Sequence, residues 1–134
     1  MTASIIYSGD LRCQATHLQS GTEIQTDAPS DNQGKGQRFS PTDLTCVSLA
    51  TCMITTMAIK STGMDVDLKG TTIEVTKHML SDPRRIGKIE LLVKFASSDK
   101  PSEKDREYLE MIGNTCPVAK SIHPDIEVRT EYIW

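Results

Sequence analysis

The chain has 134 residues, of which 37% are hydrophobic and 25% charged, and its formal net charge is −3 with a pI near 5.6. This length and composition predict one domain, residues 1–134, that buries a core without disulfide staples. The slightly acidic charge gives no broad cationic surface, which excludes sequence-independent binding to nucleic acid or to anionic membranes.

The start of the chain and its apolar runs set the expected compartment. No basic, apolar leader opens the sequence, and we find no apolar run of the ~18 residues needed to span a bilayer. We therefore expect a cytoplasmic protein without a membrane partner. Thiols stay reduced in that compartment, so its four cysteines should be catalytic, redox-active or core residues rather than permanent disulfides.

The first third of the chain alternates as strands do. Residues 5–8, 11–17 and 22–27 predict three short antiparallel strands, separated by glycine-containing turns. Residues 28–38 are rich in Pro, Ser, Asp, Asn, Gly and Lys, which cannot bury a face. They predict an exposed loop of the kind that often borders a site.

A long helix follows this loop. Ser40 is a capping residue, Pro41 suits the first helical position, and Asp43 can reach back to the amide of Ser40. Apolar residues continue past Met57, and Gly63 offers a stop. Because residues 44–59 are nearly uncharged, we expect this helix to be buried on most sides and to form the centre of the fold.

The second half alternates strands and helices. Segments 64–69, 71–80 and 86–96 predict strands, and Asp82-Pro83 predicts the turn between the last two. A second capping signature, residues 102–105, opens a helix to Asn114, for which the following residues are expected to face inward: Tyr108, Leu109, Met111 and Ile112.

A short helix from Pro117 and a strand over residues 126–134 complete the chain. In that strand Ile126, Val128, Thr130, Tyr132 and Trp134 share one face. The order βββ, long helix, ββ, helix, short helix, β predicts an α+β fold without internal repeats.

Two cysteines have the setting of a working thiol pair. A reactive cysteine needs a cation or a helix N-terminus to stabilise its thiolate. Cys116 precedes Pro117 at a predicted helix start, whose free amides favour a thiolate. Cys52 lies in the middle of the apolar helix, which raises a thiol pKa unless a cation is supplied. The plain alternative for each is a small core residue.

The other cysteines are expected to be structural. Cys46 and Cys52 are six residues apart, about 9 Å of rise and about 120° of rotation on a helix, too far for a disulfide. Cys13 alternates with Arg12 on one strand and so faces the opposite side. The histidines and cysteines lack zinc-ligand spacing, so we expect no metal and no other cofactor.

Three motifs together carry a resemblance to a known family. Residues 39–44 (FSPTDL), residues 48–53 (SLATCM) and residues 115–118 (TCPV), in this order and at this separation, resemble the OsmC/Ohr family of organic hydroperoxide reductases and OsmC-like proteins. The resemblance covers nearly the whole chain. It implies an OsmC-like fold in which antiparallel sheets wrap a long central helix, and an intertwined homodimer with active sites at the subunit interface.

The resemblance also implies an activity and its residues. Cys52 would attack an organic hydroperoxide and become a sulfenic acid, Cys116 would condense with it to a disulfide, and a dithiol reductant, of lipoyl type or a small thiol, would restore both. Such a protein would serve an antioxidant, oxidative stress response. Two alternatives stay open: a thiol-disulfide exchange or redox-sensing protein, and a binding protein for a small ligand without peroxidase turnover.

The residues expected to support the two cysteines match the family's pattern less closely. The family's peroxidases carry a glutamate ten residues before the first cysteine, where it pairs with an activating arginine, and Thr42 stands there in this chain. Asp43 is the nearest acidic residue, although nine residues on a helix turn it about 180° from Cys52. Arg12 and Arg38 are the candidate arginines.

Overall fold

The computed structural model describes residues 1–96 and 100–134 and confirms the α+β class. Its elements are, in chain order, β1 (Ala3–Gly9), β2 (Arg12–His17), β3 (Glu23–Asp27), α1 (Pro41–Lys60), β4 (Thr72–Leu80), β5 (Arg85–Lys94), α2 (Glu103–Asn114) and β6 (Glu127–Ile133). A 3-10 turn, Ser30–Asn32, interrupts the loop between β3 and α1. The described chain forms two compact units, an N-terminal unit (Met1–Thr45) and a C-terminal unit (Cys46–Trp134).

The N-terminal unit contains an antiparallel sheet in the order β1-β2-β3, as its alternation predicts. The loop after it is largely exposed, as expected. It leads into the predicted capping box at the start of α1: the Ser40 amide donates to Asp43 Oδ2 at 2.8 Å, and the Asp43 amide donates to Ser40 Oγ at 3.1 Å. The amides of Ser40 and Asp43 at the start of the helix thus each donate to the other residue's side chain.

The C-terminal unit contains a second sheet in the order β4-β5-β6. β4 and β5 form the predicted antiparallel hairpin, but β5 and β6 run parallel, so the expectation of purely antiparallel sheets is wrong for this pair. The reason is the connection: α2 lies in the chain between β5 and β6, and a parallel pair requires such a crossover.

The core of the C-terminal unit lies between α1, α2 and one face of this sheet. Buried positions recur on α1 at helical spacing, and on β5 at every second residue. The fully buried large side chains are Leu49, Met53, Met57, Ile89, Leu91, Val93 and Leu109. β6 presents its predicted face, and the Trp134 ring stacks on Phe95 with 3.7 Å between ring centroids.

The central helix is less buried than predicted. Only one face of α1 is buried, and Ile59 on the helix is exposed. The buried face carries Cys46, Leu49, Ala50, Met53 and Met57. The expectation of burial on most sides is wrong because small Ser and Thr side chains, rather than large apolar ones, occupy much of the other face.

The expectation that no segment is long and apolar enough to span a bilayer is also wrong. An 18-residue window of α1 has a mean hydropathy of 1.4, and among the described residues this helix alone meets the length and composition criterion. The core helix of a soluble protein meets the same criterion, and 28% of the window is buried inside the structure. One such helix is therefore a weak indication of a membrane span.

Three further predictions are corrected. Residues 64–69 belong to neither sheet, and their alternation arises because Met64, Val66 and Leu68 pack on the core from an irregular segment. On α2, Tyr108 and Met111 are exposed, since the sheet and α1 cover only the side that carries Leu109. Residues 117–122 form consecutive turns rather than a helix, although the Lys120 amide donates to the Cys116 carbonyl oxygen at 3.1 Å.

Candidate active site

Two of the four free cysteines come together in the C-terminal unit. Cys52 lies on α1 and is half-buried, whereas Cys116 follows the end of α2 and is fully buried. The two thiols lie close enough for each to shift the pKa of the other. The pair therefore combines a half-buried cysteine with a fully buried one.

The surroundings of Cys52 favour its thiolate. Burial alone would raise its pKa, but the backbone amide of Val118, the thiol of Cys116 and the hydroxyl of Thr56 all hydrogen-bond to the sulfur, and together they hold the pKa of Cys52 below its usual range. Thr56 Oγ1 lies 3.9 Å from Cys52 Sγ. These partners are neutral donors, which stabilise the charged sulfur more than the protonated one.

Cys116 has the opposite shift. Burial raises its pKa, the amides of Ala119 and Val118 lower it, and the neighbouring Cys52 sulfur raises it again, so that the pKa of Cys116 lies above its usual range. The expectation that the amides after Pro117 favour a Cys116 thiolate is therefore wrong, because the effect of burial on this thiol exceeds the effect of the amides.

Tyr132 of β6 and Trp134, the residue after this strand, bind α2, the helix that precedes Cys116. The Tyr132 hydroxyl donates to Asn114 Oδ1 at 3.0 Å, and Trp134 Nε1 donates to Glu110 Oε1 at 2.7 Å. Burial, with a smaller contribution from Glu110, raises the pKa of Tyr132 and keeps its hydroxyl protonated. The end of α2, and Cys116 beyond it, is thereby held against the sheet.

α1 and α2 approach closely at Gly113. A Cβ atom at this position would lie 3.0 Å from both Met53 Cγ and Met57 Sδ and 3.1 Å from the Tyr132 hydroxyl oxygen. Such distances are shorter than ordinary van der Waals contacts. A glycine three residues before Cys116 therefore lets the two cysteine-bearing segments pack near each other.

Arg12, the first candidate arginine, belongs to a polar network inside the N-terminal unit. Its Nε donates to Asp27 Oδ1 at 2.7 Å and its NH2 group donates to Asp27 Oδ2 at 2.9 Å and to Gln37 Oε1 at 3.1 Å. Asp27 is only 1% exposed, and hydrogen bonding from Arg12 lowers its pKa to about 2 against the effect of burial. A bidentate pair of this kind fixes the guanidinium in one orientation.

The other supporting candidates also have partners in the N-terminal unit. Arg38 donates to Gln25 Oε1 and to the Gln37 carbonyl oxygen. Asp43 accepts from the Ser40 amide in the capping box, and the hydroxyls of Thr42 and Ser40 are 3.1 Å apart. Capping thus accounts for Asp43, and the roles of these residues in catalysis stay predictions.

Sequence reasoning missed three residues that shape these sites. Thr56 stands four residues after Cys52, so helical spacing was a usable signal for its contact with the sulfur. Asp27 carried no local signal, because only the pairing of β2 with β3 sets it opposite Arg12. The effect of the Val118 amide on Cys52 was missed because the free amides after Pro117 were expected to act on Cys116. In residues 1–96 and 100–134 no group of three or more His, Cys, Asp or Glu side chains is arranged to hold a metal ion.

Comparisons with known proteins agree with the motifs. A family model described as OsmC-like protein matches residues 34–131. The chain shares 49% identity with a crystal structure from Psychrobacter arcticus, named provisionally as an osmotic stress induced and detoxification response protein; the match covers 98% of this chain and 95% of the other, with a TM-score of 0.93.

More distant structures share the fold. An organic hydroperoxide resistance protein OsmC from Legionella pneumophila is 13% identical, with a TM-score of 0.76 over 100% of this chain and 98% of the other. An organic hydroperoxide resistance protein from Elizabethkingia anophelis is 14% identical, with a TM-score of 0.73 over 99% and 96%. The search of curated proteins returned no match. The family model and the Psychrobacter structure, taken with the fold, show that this chain belongs to the OsmC family of OsmC-like proteins.

Proposed function

We propose that this protein is a thiol peroxidase that reduces organic hydroperoxides. The observation that carries the proposal is the thiol pair, in which a half-buried Cys52 with a lowered pKa contacts a buried Cys116 with a raised pKa. An attacking thiol must be accessible and ionised, whereas a resolving thiol can wait protonated behind it. The names of the Legionella and Elizabethkingia structures add support for hydroperoxide as the substrate class.

The reaction proceeds in three balanced steps. The Cys52 thiolate attacks the terminal oxygen of ROOH, the O–O bond breaks, and the leaving alkoxide takes up a proton to give ROH and the Cys52 sulfenic acid. The Cys116 thiol then displaces the hydroxyl group, which leaves as water when the disulfide forms. A dithiol reductant exchanges with this disulfide, restores both thiols and leaves as its own disulfide.

The donors around Cys52 suit the first step. Thr56 Oγ1 lies 3.9 Å from its sulfur, and the Val118 amide and the Cys116 thiol also contribute to the lowering of its pKa. The proposal does not require Arg12 as the activating group, because these donors already lower the pKa of Cys52. Arg12 and Arg38 remain candidates for binding the peroxide or assisting the thiolate.

We further propose that the protein is a cytoplasmic homodimer. The only fully buried side chains in the described part of the N-terminal unit are the polar Asp27 and Ser40. Most of its large apolar side chains are exposed, among them Ile5, Ile6, Tyr7, Leu11, Leu18, Ile24 and Phe39. A second copy of the chain is always present together with the first and could cover such a surface. Sedimentation equilibrium should give twice the mass of the chain, and a stable monomer would contradict this arrangement.

Peroxide consumption tests the enzyme proposal. Purified protein with dihydrolipoamide should consume cumene hydroperoxide or tert-butyl hydroperoxide, and Cys52→Ser should reduce turnover to the uncatalysed rate. Cys116→Ser should still form the Cys52 sulfenic acid, trapped with dimedone and longer-lived than in the wild type. Cys13→Ser, a change at a free cysteine outside the pair, is the matched control and should retain full activity.

The alternatives make different predictions in the same assay. No turnover with any dithiol, combined with a Cys52 to Cys116 disulfide formed from an oxidised small thiol, would favour thiol-disulfide exchange. If neither hydroperoxide nor oxidised thiol changes the two cysteines, the peroxidase proposal fails and a ligand-binding role gains.

A further inference from the structure

The threonines of α1 differ in what their hydroxyls bind. Thr45, Thr51 and Thr55 each donate to the backbone carbonyl oxygen four residues earlier, at 3.2, 2.9 and 2.8 Å. This is the usual way in which a helical threonine satisfies its hydroxyl. The Thr56 hydroxyl instead contacts the sulfur of Cys52, with 3.9 Å between Oγ1 and Sγ.

Helix geometry explains why this hydroxyl reaches the sulfur. Residues four apart on a helix differ by about 40° in direction, so Thr56 lies one turn above Cys52 on the same face. The Cys52 carbonyl oxygen, which Thr56 would otherwise use, already accepts from the Thr55 hydroxyl at 3.2 Å. Thr55 therefore binds the carbonyl oxygen of Cys52, whereas Thr56 contacts the sulfur of the same residue.

From this arrangement we infer that Thr56 is a catalytic residue of the Cys52 site, whose hydroxyl donates a hydrogen bond to the thiolate and activates it. The inference rests on the proposed function for its meaning, because the thiolate is the peroxide-attacking form. A thiolate carries no proton, so in the ionised site Thr56 must be the donor. A bond that is stronger to the charged form lowers the pKa of the group that accepts it.

The same hydroxyl remains useful after the attack. A sulfenic acid is a neutral oxygen-bearing group, and the hydroxyl can donate to it or accept from it without gaining or losing charge. Thr56 can therefore stay in contact with Cys52 through the oxidation step. No other co-reactant is needed, since the hydrogen bond transfers no proton or electron.

Thiol titration tests this inference without any peroxide. The rate of Cys52 alkylation by iodoacetamide is measured from pH 5 to 10 by peptide mass spectrometry, which separates Cys52 from the other three cysteines. Thr56→Val removes the hydroxyl at nearly constant shape and should raise the apparent pKa of Cys52 by about one unit, a tenfold lower thiolate fraction below that pKa. Thr56→Ser should titrate close to the wild type.

The neighbouring threonine provides the matched control. Thr55→Val removes a hydroxyl of the same helix that binds only backbone oxygens, and it should leave the titration of Cys52 unchanged. If Thr56→Val fails to fold, as judged by circular dichroism, Thr56→Ala makes the same test without the branched apolar group. The inference is overturned if the variants without the Thr56 hydroxyl titrate as the wild type does, or if Thr55→Val shifts the pKa equally.

A second readout separates this inference from the proposed function. If the peroxidase proposal is correct, kcat/KM for cumene hydroperoxide should fall by the same factor as the thiolate fraction in Thr56→Val and recover in Thr56→Ser. If the protein consumes no peroxide, the titration of Cys52 still decides whether Thr56 stabilises the thiolate.

Discussion

The two units of this chain are stabilised by different means. The C-terminal unit holds every buried apolar residue found among the described positions, together with the thiol pair. The N-terminal unit buries a charged and hydrogen-bonded network around Asp27, and its strand β1 is exposed along almost its full length. A three-stranded sheet without an apolar core is marginal by itself. The difference shows that, among the described residues, only the C-terminal unit contains an apolar core.

Truncating one side chain in each unit gives the largest contrast. Leu49→Ala removes a fully buried side chain and should cost about 2–5 kcal/mol of unfolding free energy, because it leaves a cavity in the C-terminal core. Ile24→Ala changes a half-exposed residue of β3 and should cost about 0.5 kcal/mol or less if its face stays open to solvent. Urea unfolding measures both values.

The same two variants can also show that truncation is costly in both units. If Ile24→Ala costs more than about 1 kcal/mol and its midpoint rises with protein concentration, the sheet of the N-terminal unit is covered by a second copy. Equal, concentration-independent losses in the two variants would contradict the division between the units.

A hydrogen bond within the C-terminal unit should have a smaller effect. Tyr132→Phe deletes the hydroxyl that donates to Asn114 Oδ1 and should cost about 0.5–1.5 kcal/mol, since it leaves the amide oxygen without this partner. Because Asn114 lies two residues before Cys116, disulfide formation after a peroxide pulse should also slow. Tyr108→Phe, at an exposed position of the same helix, is the control and should change neither value. A wild-type rate of disulfide formation in Tyr132→Phe would show that the anchor does not position Cys116.

Acid should affect the N-terminal unit first. Hydrogen bonding from Arg12 lowers the pKa of Asp27 to about 2, below the ordinary value of 3.8, so the folded state favours the carboxylate. Its contribution to stability is fully present above the ordinary pKa and is lost as the pH falls from about 4 through about 2. Hydrogen exchange should show the amides of β2 and β3 losing protection in this range before those of β5.

Asp27→Asn supplies the control for that titration. The amide cannot ionise, so the variant should be less stable near neutral pH and should lack the change in protection of β2 between pH 4 and pH 2. If the wild type and Asp27→Asn lose protection at the same pH, Asp27 is not the group responsible.

Much of the architecture could be predicted because its signals are local. The capping boxes at Ser40 and Ser102 marked the starts of both helices, since each uses residues within one turn. The alternation of β5 marked its buried face because neighbouring side chains of a strand point to opposite sides. The pairing of Cys52 with Cys116 was implied by the family motifs, and their catalytic roles stay predictions.

The failed predictions concern properties that depend on distant partners. The alternation of residues 64–69 resembled a strand, but pairing requires a neighbouring strand edge, and the segment packs on the core instead. The direction of β6 followed from the crossover through α2 rather than from its own residues. The amount of α1 that is covered depends on what packs against it, which its composition does not specify.

The amino-acid sequence by itself determined the α+β class, the helix starts, the buried face of β5 and the family. Each of these depends on short-range spacing or on a motif. Only the tertiary structure shows which hydrogen-bond donors surround each thiol. The pKa of a cysteine depends on the donors that folding brings to its sulfur, and here the turn after Pro117 and the hydroxyl of Thr56 both serve Cys52. The amides after Pro117 lower the pKa of Cys116 as well, but the burial of this thiol outweighs them.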